Sequence, residues 1–133
     1  MNPLPPGGAP TILVVEDESI VARDIQSTLQ RLGYLVPAVA ATGEDARSKA
    51  AEFAPQWVLM DINIRGASDG IETALELRRR FGVRVIFLSA FSDAATQQRA
   101  QSAKPFTFLL KPFEADERRS VVEAALQSAR NSA

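Results

Sequence analysis

The sequence predicts an α/β fold in which five parallel strands form one sheet with helices on both of its faces. Five short apolar runs alternate along the chain with five segments whose apolar residues recur at helical spacing. The runs are apolar throughout and do not alternate with polar residues, which is typical of strands buried on both faces. Strands joined by helical crossovers run parallel, and the crossovers cover both sides of the sheet.

The chain begins with a segment that we expect to be disordered. Residues 1–10 contain four prolines and two glycines, and such a segment cannot bury enough apolar area to offset its loss of conformational entropy. We predict one domain over residues 11–131. Only three residues follow Arg130, so we expect no output domain behind it.

The first strand is the apolar run Ile12–Val15, which is followed directly by the acidic residues 16–18. From Ser19 the apolar residues recur at helical spacing, and this helix is expected to end at Gly33. The acids therefore follow the carboxyl end of a buried strand.

The second and third strands flank a helix whose ends carry capping signals. Residues 35–39 predict a short strand. Thr42 is expected to cap the next helix, with Asp45 in a weak capping-box position, and Pro55 ends that helix. The third strand, Trp57–Asp61, is an apolar run that ends abruptly on a carboxylate.

The fourth strand follows a polar loop and a helix. The loop covers residues 63–70, the helix residues 71–80, and the strand residues 83–88, which end at Ser89. Three consecutive arginines at the end of this helix raise the question of a phosphate-binding patch. We favour a solvated last turn whose positive charges complement the helix dipole.

The fourth helix, predicted over residues 93–103, offers only alanines as apolar side chains. Because it buries so little, we expect it to be loosely held and to be a moving part of the domain. The fifth strand over residues 106–110 ends at Lys111, and a last amphipathic helix covers residues 115–130.

The composition excludes several kinds of site. The chain of 133 residues has no cysteine and no histidine, which rules out disulfides, thiolate or imidazole metal ligands and histidine-based triads. Any metal must therefore be a hard cation held by oxygen. A formal net charge of −1 gives no overall field that would attract nucleic acid. No apolar run approaches the length of a membrane span and no secretory signal is visible, so we expect a cytoplasmic protein.

Four of the five predicted strands deliver polar side chains to one edge of the sheet. These are Glu16 and Asp17 after the first strand, Asp61 after the third, Ser89 after the fourth and Lys111 after the fifth. Ligands of open α/β sheets bind outside the carboxyl ends of the strands, so this set predicts a functional site. Explanations without a functional site are a helix cap for Ser89 and a solvated lysine for Lys111. Such explanations would have to hold independently at every position.

The chemistry of this set is restrictive. Three carboxylates within a few ångströms repel one another unless a divalent cation lies among them, and all-oxygen ligands suit Mg²⁺ or Mn²⁺. Lys111 supplies a second positive pole, and a phosphoryl group fits between the two poles because its oxygens need cationic and hydroxyl partners. A carboxylate can itself be the nucleophile, so the residues predict Mg²⁺-dependent phosphorylation of an aspartate.

These residues resemble the receiver domain of bacterial two-component response regulators, over residues 11–130. The family pattern is an acidic pair after the first strand, an aspartate after the third, threonine or serine after the fourth and Lys-Pro after the fifth. In this chain the matching positions are Glu16-Asp17, Asp61, Ser89-Ala90 and Lys111-Pro112-Phe113. The resemblance implies a flavodoxin-like (βα)5 fold in three layers, with a parallel sheet of strand order 2-1-3-4-5.

The resemblance also implies a role for each acidic residue. Asp61 would be the phosphoacceptor, receiving the phosphoryl group from a phosphohistidine of a partner histidine kinase or histidine phosphotransfer protein. Mg²⁺ would be bound by Asp17, Asp61 and the backbone carbonyl of Asn63, and by Glu16 either directly or through water.

The other matched residues would couple phosphorylation to a conformational change. Lys111 would pair with Asp61 before transfer and with the phosphoryl oxygens afterwards, and Ser89 would move to hydrogen-bond the phosphoryl group. Phe108 matches the aromatic switch position that turns inward when the hydroxyl moves, and Pro112 follows a bond that is cis in the family. The output would be a changed surface on the fourth helix, fifth strand and fifth helix.

Three site residues depart from the commoner family pattern. Glu16 replaces an aspartate and has a longer arm, Ser89 replaces a threonine, and Phe108 replaces a tyrosine and lacks its hydroxyl. The loop over residues 63–70 lacks the usual Met-Pro and is longer. The Gly-Ile-Glu that starts at Gly70 resembles a recognisable subgroup of the family.

Two other kinds of function compete with a phosphorylated switch. A receiver-like interaction module that needs no phosphate would have no need to keep Asp61 and Lys111, and this chain has both. A hydrolase with an aspartyl-phosphate intermediate would need a second acid two positions after the nucleophile, where this chain has Asn63. Glycine-rich nucleotide-binding motifs are absent from the sequence. We therefore expect a stand-alone switch and not a classical enzyme, acting as a monomer or phosphorylation-dependent homodimer, with protein partners and neither nucleic-acid nor membrane partners.

Overall fold

The structure is a computed structural model that describes residues 10–64, 66, 69–89, 94–111 and 114–131. Within these residues, strands and helices alternate in the order β1 (Ile12–Val15), α1 (Ser19–Arg31), β2 (Val39–Ala40), α2 (Gly43–Phe53), β3 (Trp57–Asp61), α3 (Gly70–Phe81), β4 (Arg84–Ser89), α4 (Ala94–Gln101), β5 (Thr107–Leu110) and α5 (Ala115–Asn131). The strands form one sheet of order β2-β1-β3-β4-β5 in which every neighbouring pair is parallel. The predicted fold class and strand order are confirmed.

Alternate residues of the central strands face opposite sides of the sheet and build two separate apolar cores. In β1, Leu13 and Val15 face the side covered by α2 and α3, whereas Ile12 and Val14 face α1 and α5. β3 and β4 repeat this alternation, and every residue of the three strands is buried except Arg84. Burial on both faces explains why these strands are apolar throughout.

The second strand is shorter and begins later than residues 35–39, so this prediction is corrected. β2 consists of Val39–Ala40, and Leu35 contributes only an isolated bridge to β1. Pro37 has no backbone N–H and interrupts the ladder between them. The carbonyl of Val36 accepts hydrogen bonds from side-chain amides of α1 and not from a strand. These donors are Gln26 Nε2 at 2.9 Å and Gln30 Nε2 at 3.3 Å.

The predicted cap of α2 is confirmed. The Asp45 N–H donates to Thr42 Oγ1 at 3.1 Å, and the Asp45 carboxylate accepts from the Ala41 N–H at 3.4 Å. The helix ends where Ala54 adopts a φ of 48°, in the left-handed region, directly before Pro55. The chain therefore leaves this helix at the residue before a proline, where helices commonly end.

The fourth helix is as poorly buried as its composition predicts. α4 is shorter than residues 93–103, and Ala100 is the one buried residue among those described in the helix. Residue 93 lies outside the described residues. After Gln101 the backbone bonds tighten from the α-helical pattern to a three-residue spacing, and Lys104 adopts a φ of 48°. This left-handed residue turns the chain from α4 towards β5.

An ion cluster joins α1 to α5. Asp24 accepts hydrogen bonds from Arg118 Nη2 at 3.0 Å and from Arg119 Nη2 at 2.7 Å. Arg118 is buried, and its Nε has no hydrogen-bond partner among the described residues. Burial alone would raise the pKa of Asp24, but the hydrogen bonds and charges of Arg119 and Arg118 outweigh it and hold that pKa below its usual range. The ionised form of Asp24 therefore stabilises the fold.

We expect Asp24→Asn to lower the free energy of unfolding by about 2 kcal/mol at neutral pH, because Arg118 keeps its buried charge and loses its partner. The folded-state pKa of Asp24 lies below the unfolded one. The stabilisation is therefore complete above the unfolded pKa and is lost as the pH falls through the folded pKa. Urea unfolding of both proteins across this range checks the prediction.

The matched control for this measurement is Glu117→Gln, which neutralises an exposed acid on α5. We expect it to change stability by no more than about 0.5 kcal/mol at any pH. If the loss of unfolding free energy in Asp24→Asn stayed constant from neutral to acidic pH, the role assigned to the ionised carboxylate would be contradicted.

Two sequence predictions on the ends of the chain stay predictions. Residues 1–9 of the expected disordered leader lie outside the described residues. The predicted domain limits of 11–131 are not tested by the structure. Within the described part, no helix combines the length and the apolar character that a membrane crossing requires.

Candidate functional site

The carboxyl ends of four strands bring the five predicted site residues to one edge of the sheet. β1 and β3 stay in register up to the residues that precede Glu16 and Asp61. Glu16, Asp61 and Ser89 are 2%, 5% and 0% exposed, respectively. Asp17 is half-buried, and the side chain of Lys111 is 12% exposed. The site is thus a largely buried polar group on an otherwise apolar sheet.

The three acidic residues form a group that fits a divalent cation. One carboxylate oxygen from each of Glu16, Asp17 and Asp61 lies within 4.8 Å of the others. Together with the ammonium group of Lys111, these side chains carry two net formal negative charges. Oxygen donors are the ligands that Mg²⁺ and Mn²⁺ prefer, and a divalent charge matches the excess.

Lys111 bridges two of the carboxylates and lies closer to Glu16 than to Asp61. Its Nζ is 2.6 Å from Glu16 Oε1 and 3.5 Å from Asp61 Oδ2. The additional methylene of glutamate, compared with aspartate, carries the Glu16 carboxylate to the lysine. The Lys111 backbone N–H also donates to the Ser89 carbonyl at 2.6 Å, which holds the end of β5 against β4.

The protonation of this pair reflects its burial. Burial raises the pKa of Glu16 to about 7, an effect that the hydrogen bond from Lys111 partly offsets and the charge of Asp61 reinforces. Burial alone would lower the pKa of Lys111, but the hydrogen bond that it donates to Glu16 and the charge of Asp61 outweigh it and raise that pKa. Lys111 is therefore a cation at neutral pH, and the acidic group still has an excess of negative charge.

Asp61 presents its two carboxylate oxygens to different surroundings. Oδ1 accepts a hydrogen bond from the backbone N–H of Asn63 at 3.1 Å, whereas Oδ2 faces Lys111. The backbone N–H of Asn63 thus lies beside the carboxylate, while the residue as a whole is exposed. This bond ties the loop that follows β3 to the acidic group.

The start of α3 packs against the backbone of Asp61, a contact that the sequence analysis missed. A Cβ atom on Gly70 would lie 2.2 Å from the carbonyl oxygen of Asp61 and 2.7 Å from the Cα of Ile62. The Gly70 N–H donates to the Ile62 carbonyl at 2.9 Å. Since only a glycine permits this approach, Gly70 is a positioning residue for the site.

A capping box fixes the position of α3. The carboxylate of Asp69 accepts from the Glu72 N–H at 2.9 Å, and the Glu72 carboxylate accepts from the Asp69 N–H at 3.4 Å. Asp69 also pairs with Arg99 of α4 at 2.8 Å. The Asp-x-x-Glu spacing is the sequence signal that identifies this helix start, and with it Gly70 as the first helical residue.

The two predicted switch residues lie on neighbouring strands, Ser89 at the end of β4 and Phe108 within β5. Phe108 is half-buried against the core on the α2 and α3 side, with its ring centroid 6.4 Å from that of Phe87. The bond before Pro112 lies outside the described residues. The switching roles stay predictions, and the ring of Phe108 already lies partly against the core towards which it would turn.

The arrangement of strands and site residues matches a known family. The model of the response regulator receiver domain matches residues 12–123, which include every predicted site residue. The chain belongs to the response regulator receiver family. Receiver domains act in two-component signalling as switches and not as classical enzymes.

Curated relatives carry the receiver domain within longer proteins. The chain is 30% identical to the transcriptional regulatory protein PdtaR of Mycobacterium tuberculosis, over 86% of this chain and 56% of that protein. It is 34% identical to the phyllosphere-induced regulator PhyR of Methylorubrum extorquens, over 92% of this chain and 46% of that protein. The receiver chain thus spans about half the length of these relatives.

Solved receiver domains superpose over nearly their whole length. The signal receiver domain of a modulated diguanylate cyclase from Desulfovibrio desulfuricans G20 is 35% identical, with a TM-score of 0.77 over 94% of this chain and 99% of that one. The response regulator domain of Thermotoga maritima CheB is 25% identical, with a TM-score of 0.79 over 92% of this chain and 95% of that one. These likenesses agree with the strand order described above.

We expect Gly70→Ala to lower the free energy of unfolding by about 3 kcal/mol, because the added methyl group collides with backbone atoms that have no room to yield. The affinity for Mg²⁺ should fall as well, since the shift displaces Asp61. Chemical unfolding and Mg²⁺ titration of the folded variant measure the two effects separately.

The matched control is Gly82→Ala at the other end of the same helix. Gly82 has a φ of +69°, with open space where a Cβ atom would lie. The cost there should be about 1 kcal/mol of backbone strain, with Mg²⁺ affinity unchanged. If both variants lost equal stability and kept equal Mg²⁺ affinity, the positioning role of Gly70 would be wrong.

Proposed function

We propose that this receiver domain accepts a phosphoryl group on Asp61 from a phosphohistidine of a partner histidine kinase or histidine phosphotransfer protein. The observation that carries the proposal is the environment of Asp61, a buried carboxylate that lies beside two further carboxylates and a lysine ammonium. An isolated strand-end aspartate would have no need of this environment. A phosphoryl acceptor needs both poles.

The acidic group is the proposed site for Mg²⁺, with Mn²⁺ as a chemical substitute. We propose Asp17, Asp61 and the backbone carbonyl of Asn63 as direct ligands, with Glu16 contributing directly or through water. When bound, a divalent cation supplies positive charge that neutralises phosphoryl oxygens and allows an anionic donor to approach three carboxylates. The excess of negative charge at the site supports this assignment.

In the proposed transfer, a carboxylate oxygen of Asp61 forms a bond to phosphorus while the bond from phosphorus to the donor's histidine nitrogen breaks. The electron pair stays on that nitrogen, which takes up a proton from solvent. Lys111 then turns from the carboxylates to the phosphoryl oxygens, a short movement from its present distance of 3.5 Å to Asp61. The hydroxyl of Ser89 donates a hydrogen bond to the same group.

The proposed output is a changed surface on α4, β5 and α5. Movement of Ser89 towards the phosphoryl group would open space for Phe108 to turn inward. The scarcity of burial in α4 supports this route, because a helix with few buried apolar contacts shifts at a small free-energy cost. Downstream proteins would bind the changed surface.

We further propose that the domain works in the cytoplasm, as a monomer or as a homodimer formed on phosphorylation. Its partners would be proteins and neither nucleic acid nor membranes, which fits the nearly balanced charge of the chain. The competing function is an interaction module that binds partners without phosphorylation. Partner binding unchanged by Asp61→Asn would favour that module.

We expect the chain to gain one phosphoryl group when it is incubated with Mg²⁺ and a small acyl-phosphate donor, and to gain none without the cation. Intact-mass spectrometry reads the product. Asp61→Asn should abolish the gain because the amide is no nucleophile. A protein that stays unmodified at every donor and Mg²⁺ concentration would refute the proposal.

A matched control separates the loss of Asp61 from a general loss of acidity. Asp116 is an aspartate on α5 whose side chain is 95% exposed. Asp116→Asn should be phosphorylated like the wild type, and peptide mapping of the wild type should place the modification on Asp61. Modification that persists in Asp61→Asn would identify another acceptor.

Lys111→Gln should separate metal binding from phosphoryl transfer. Removing the ammonium leaves three carboxylates uncompensated, so Mg²⁺ affinity should rise several-fold, whereas the rate of phosphorylation should fall by about 100-fold. Calorimetric Mg²⁺ titration and the acyl-phosphate assay measure the two quantities, with Lys49→Gln as a control distant in sequence. A parallel fall of both would show that Lys111 is needed mainly for folding.

A further inference from the structure

We propose that a basic cleft at the amino edge of the sheet, opposite the acidic group, binds a nucleoside polyphosphate. The cleft has a volume of about 450 Å³. It lies where α3 ends and where β4 and β5 begin. Three cations, Arg78, Arg84 and Lys104, and the aromatic residue Phe106 are among its lining residues.

Most cations elsewhere among the described residues pair with a carboxylate, whereas the three cations of this cleft do not. Among the residues that the structure describes, no ion pair joins Arg78, Arg84 or Lys104 to a carboxylate. Ion pairs are formed instead by Arg47, Lys49, Arg80, Arg99, Lys111, Arg118 and Arg119. Three unpaired positive charges around one cleft repel one another, and an anionic ligand would relieve that repulsion.

Arg84 is held in position by two aromatic rings. Its guanidinium carbon lies 4.3 Å from the centroid of the Trp57 ring and 5.3 Å from that of Phe106. The two rings meet edge to face at 5.5 Å. Stacking uses the face of the guanidinium group and leaves N–H groups at its edge, which suit the oxygens of a phosphate. A preorganised arginine loses little conformational entropy when it binds such a ligand.

Stabilisation of a helix end, which needs no ligand, leaves Arg84 unexplained. Arg78 lies in the last turn of α3, where a positive charge complements the helix dipole. Arg84 is the first residue of β4, and Lys104 lies in the turn that follows α4. No helix end accounts for the cation at Arg84, whereas the charge of Lys104 also complements the carboxyl end of α4. Lys104 moreover occupies a left-handed backbone conformation that lysine rarely adopts.

The size and composition of the cleft favour a nucleotide over a single phosphate ion. A volume near 450 Å³ lies in the range of small-molecule sites, whereas one phosphate would fill only part of it. Three cations match a ligand with more than one phosphate. Phe106 is half-buried and adds aromatic surface to the wall, on which a planar base can stack whatever its identity.

The overall charge argues against a nucleic acid in this cleft. With 16 acidic and 15 basic residues, the chain offers no broad positive surface along which a long phosphate backbone could run. The chain also lacks a glycine-rich phosphate loop, so phosphates would be bound by side chains and not by a cradle of backbone N–H groups. A short polyanion of nucleotide size fits both observations.

The test is a calorimetric titration of the full chain, without Mg²⁺, with ATP, GTP, pyrophosphate and inorganic phosphate. Trp57 is the only tryptophan, so its fluorescence reports on the cleft during the same titrations. ATP and GTP should each bind in a saturable way, at least about tenfold more tightly than pyrophosphate. Emission from Trp57 should change with the same midpoint.

Two charge-removing variants test the assigned residues. Arg84→Gln and Lys104→Gln should each weaken ATP binding about tenfold, the loss expected for a charge-assisted hydrogen bond. The matched control Arg79→Gln removes an exposed charge from the same helix turn without touching the cleft, and should change affinity less than about twofold. Circular dichroism shows that each variant is folded. Asp61→Asn should bind ATP like the wild type, whether or not Asp61 is a phosphoacceptor.

Four results would overturn the proposal. ATP binding absent at millimolar concentration would exclude the site, and pyrophosphate binding as tightly as ATP would exclude recognition of the base. An effect of Arg79→Gln equal to that of Lys104→Gln would indicate diffuse attraction. Tighter binding of a polyglutamate peptide than of ATP would assign the cleft to an acidic protein segment.

Discussion

Mutual repulsion among the carboxylates at the carboxyl edge of the sheet constrains the structure around them. At a separation near 4.8 Å each pair costs on the order of 3 kcal/mol at the effective dielectric constant of a protein surface. A single ammonium, from Lys111, offsets part of this cost. The remainder is carried by the fold, and the repulsion from Asp61 adds to the burial that raises the pKa of Glu16. The two apolar cores on either side of β1 and β3 hold these acids together against their repulsion.

Rigid backbone packing holds the central acid in place. The approach of α3 to the carbonyl of Asp61 leaves no space for even a methyl group at Gly70. The capping box at Asp69 fixes where that helix begins, and the pairing of Asp69 with Arg99 connects the same helix start to α4. The start of α3 thus contacts both Asp61 and the sparsely buried helix α4. This is a structural basis on which a local change at Asp61 could alter a distant surface.

The five strands and the five residues at the edge could be predicted because they depend on patterns within short segments, whereas the strand order was implied by the resemblance to the receiver family. A buried strand is apolar along its whole length, and a polar residue directly after it lies at the sheet edge whatever the surroundings. The position of β2 could not be predicted in this way, because side-chain amides of α1 capture the Val36 carbonyl. Neither could the contact of Gly70, the pairing of Lys111 with Glu16, or the cleft around Arg84. Each depends on residues brought together from distant parts of the chain.

A net charge near zero conceals two separate charged regions. The carboxyl edge of the sheet gathers acids and the amino edge gathers unpaired cations, and β4 runs from one to the other. Its six residues, from Arg84 to Ser89, span only about 17 Å at the rise of a parallel strand. Lys104 belongs to the turn that ends α4, the helix whose movement the proposed switch requires. A polyphosphate bound by Lys104 would restrain that turn while leaving Asp61 free to react. Ligand binding at one edge would then change the response to phosphorylation at the other, without any contact between the two sites.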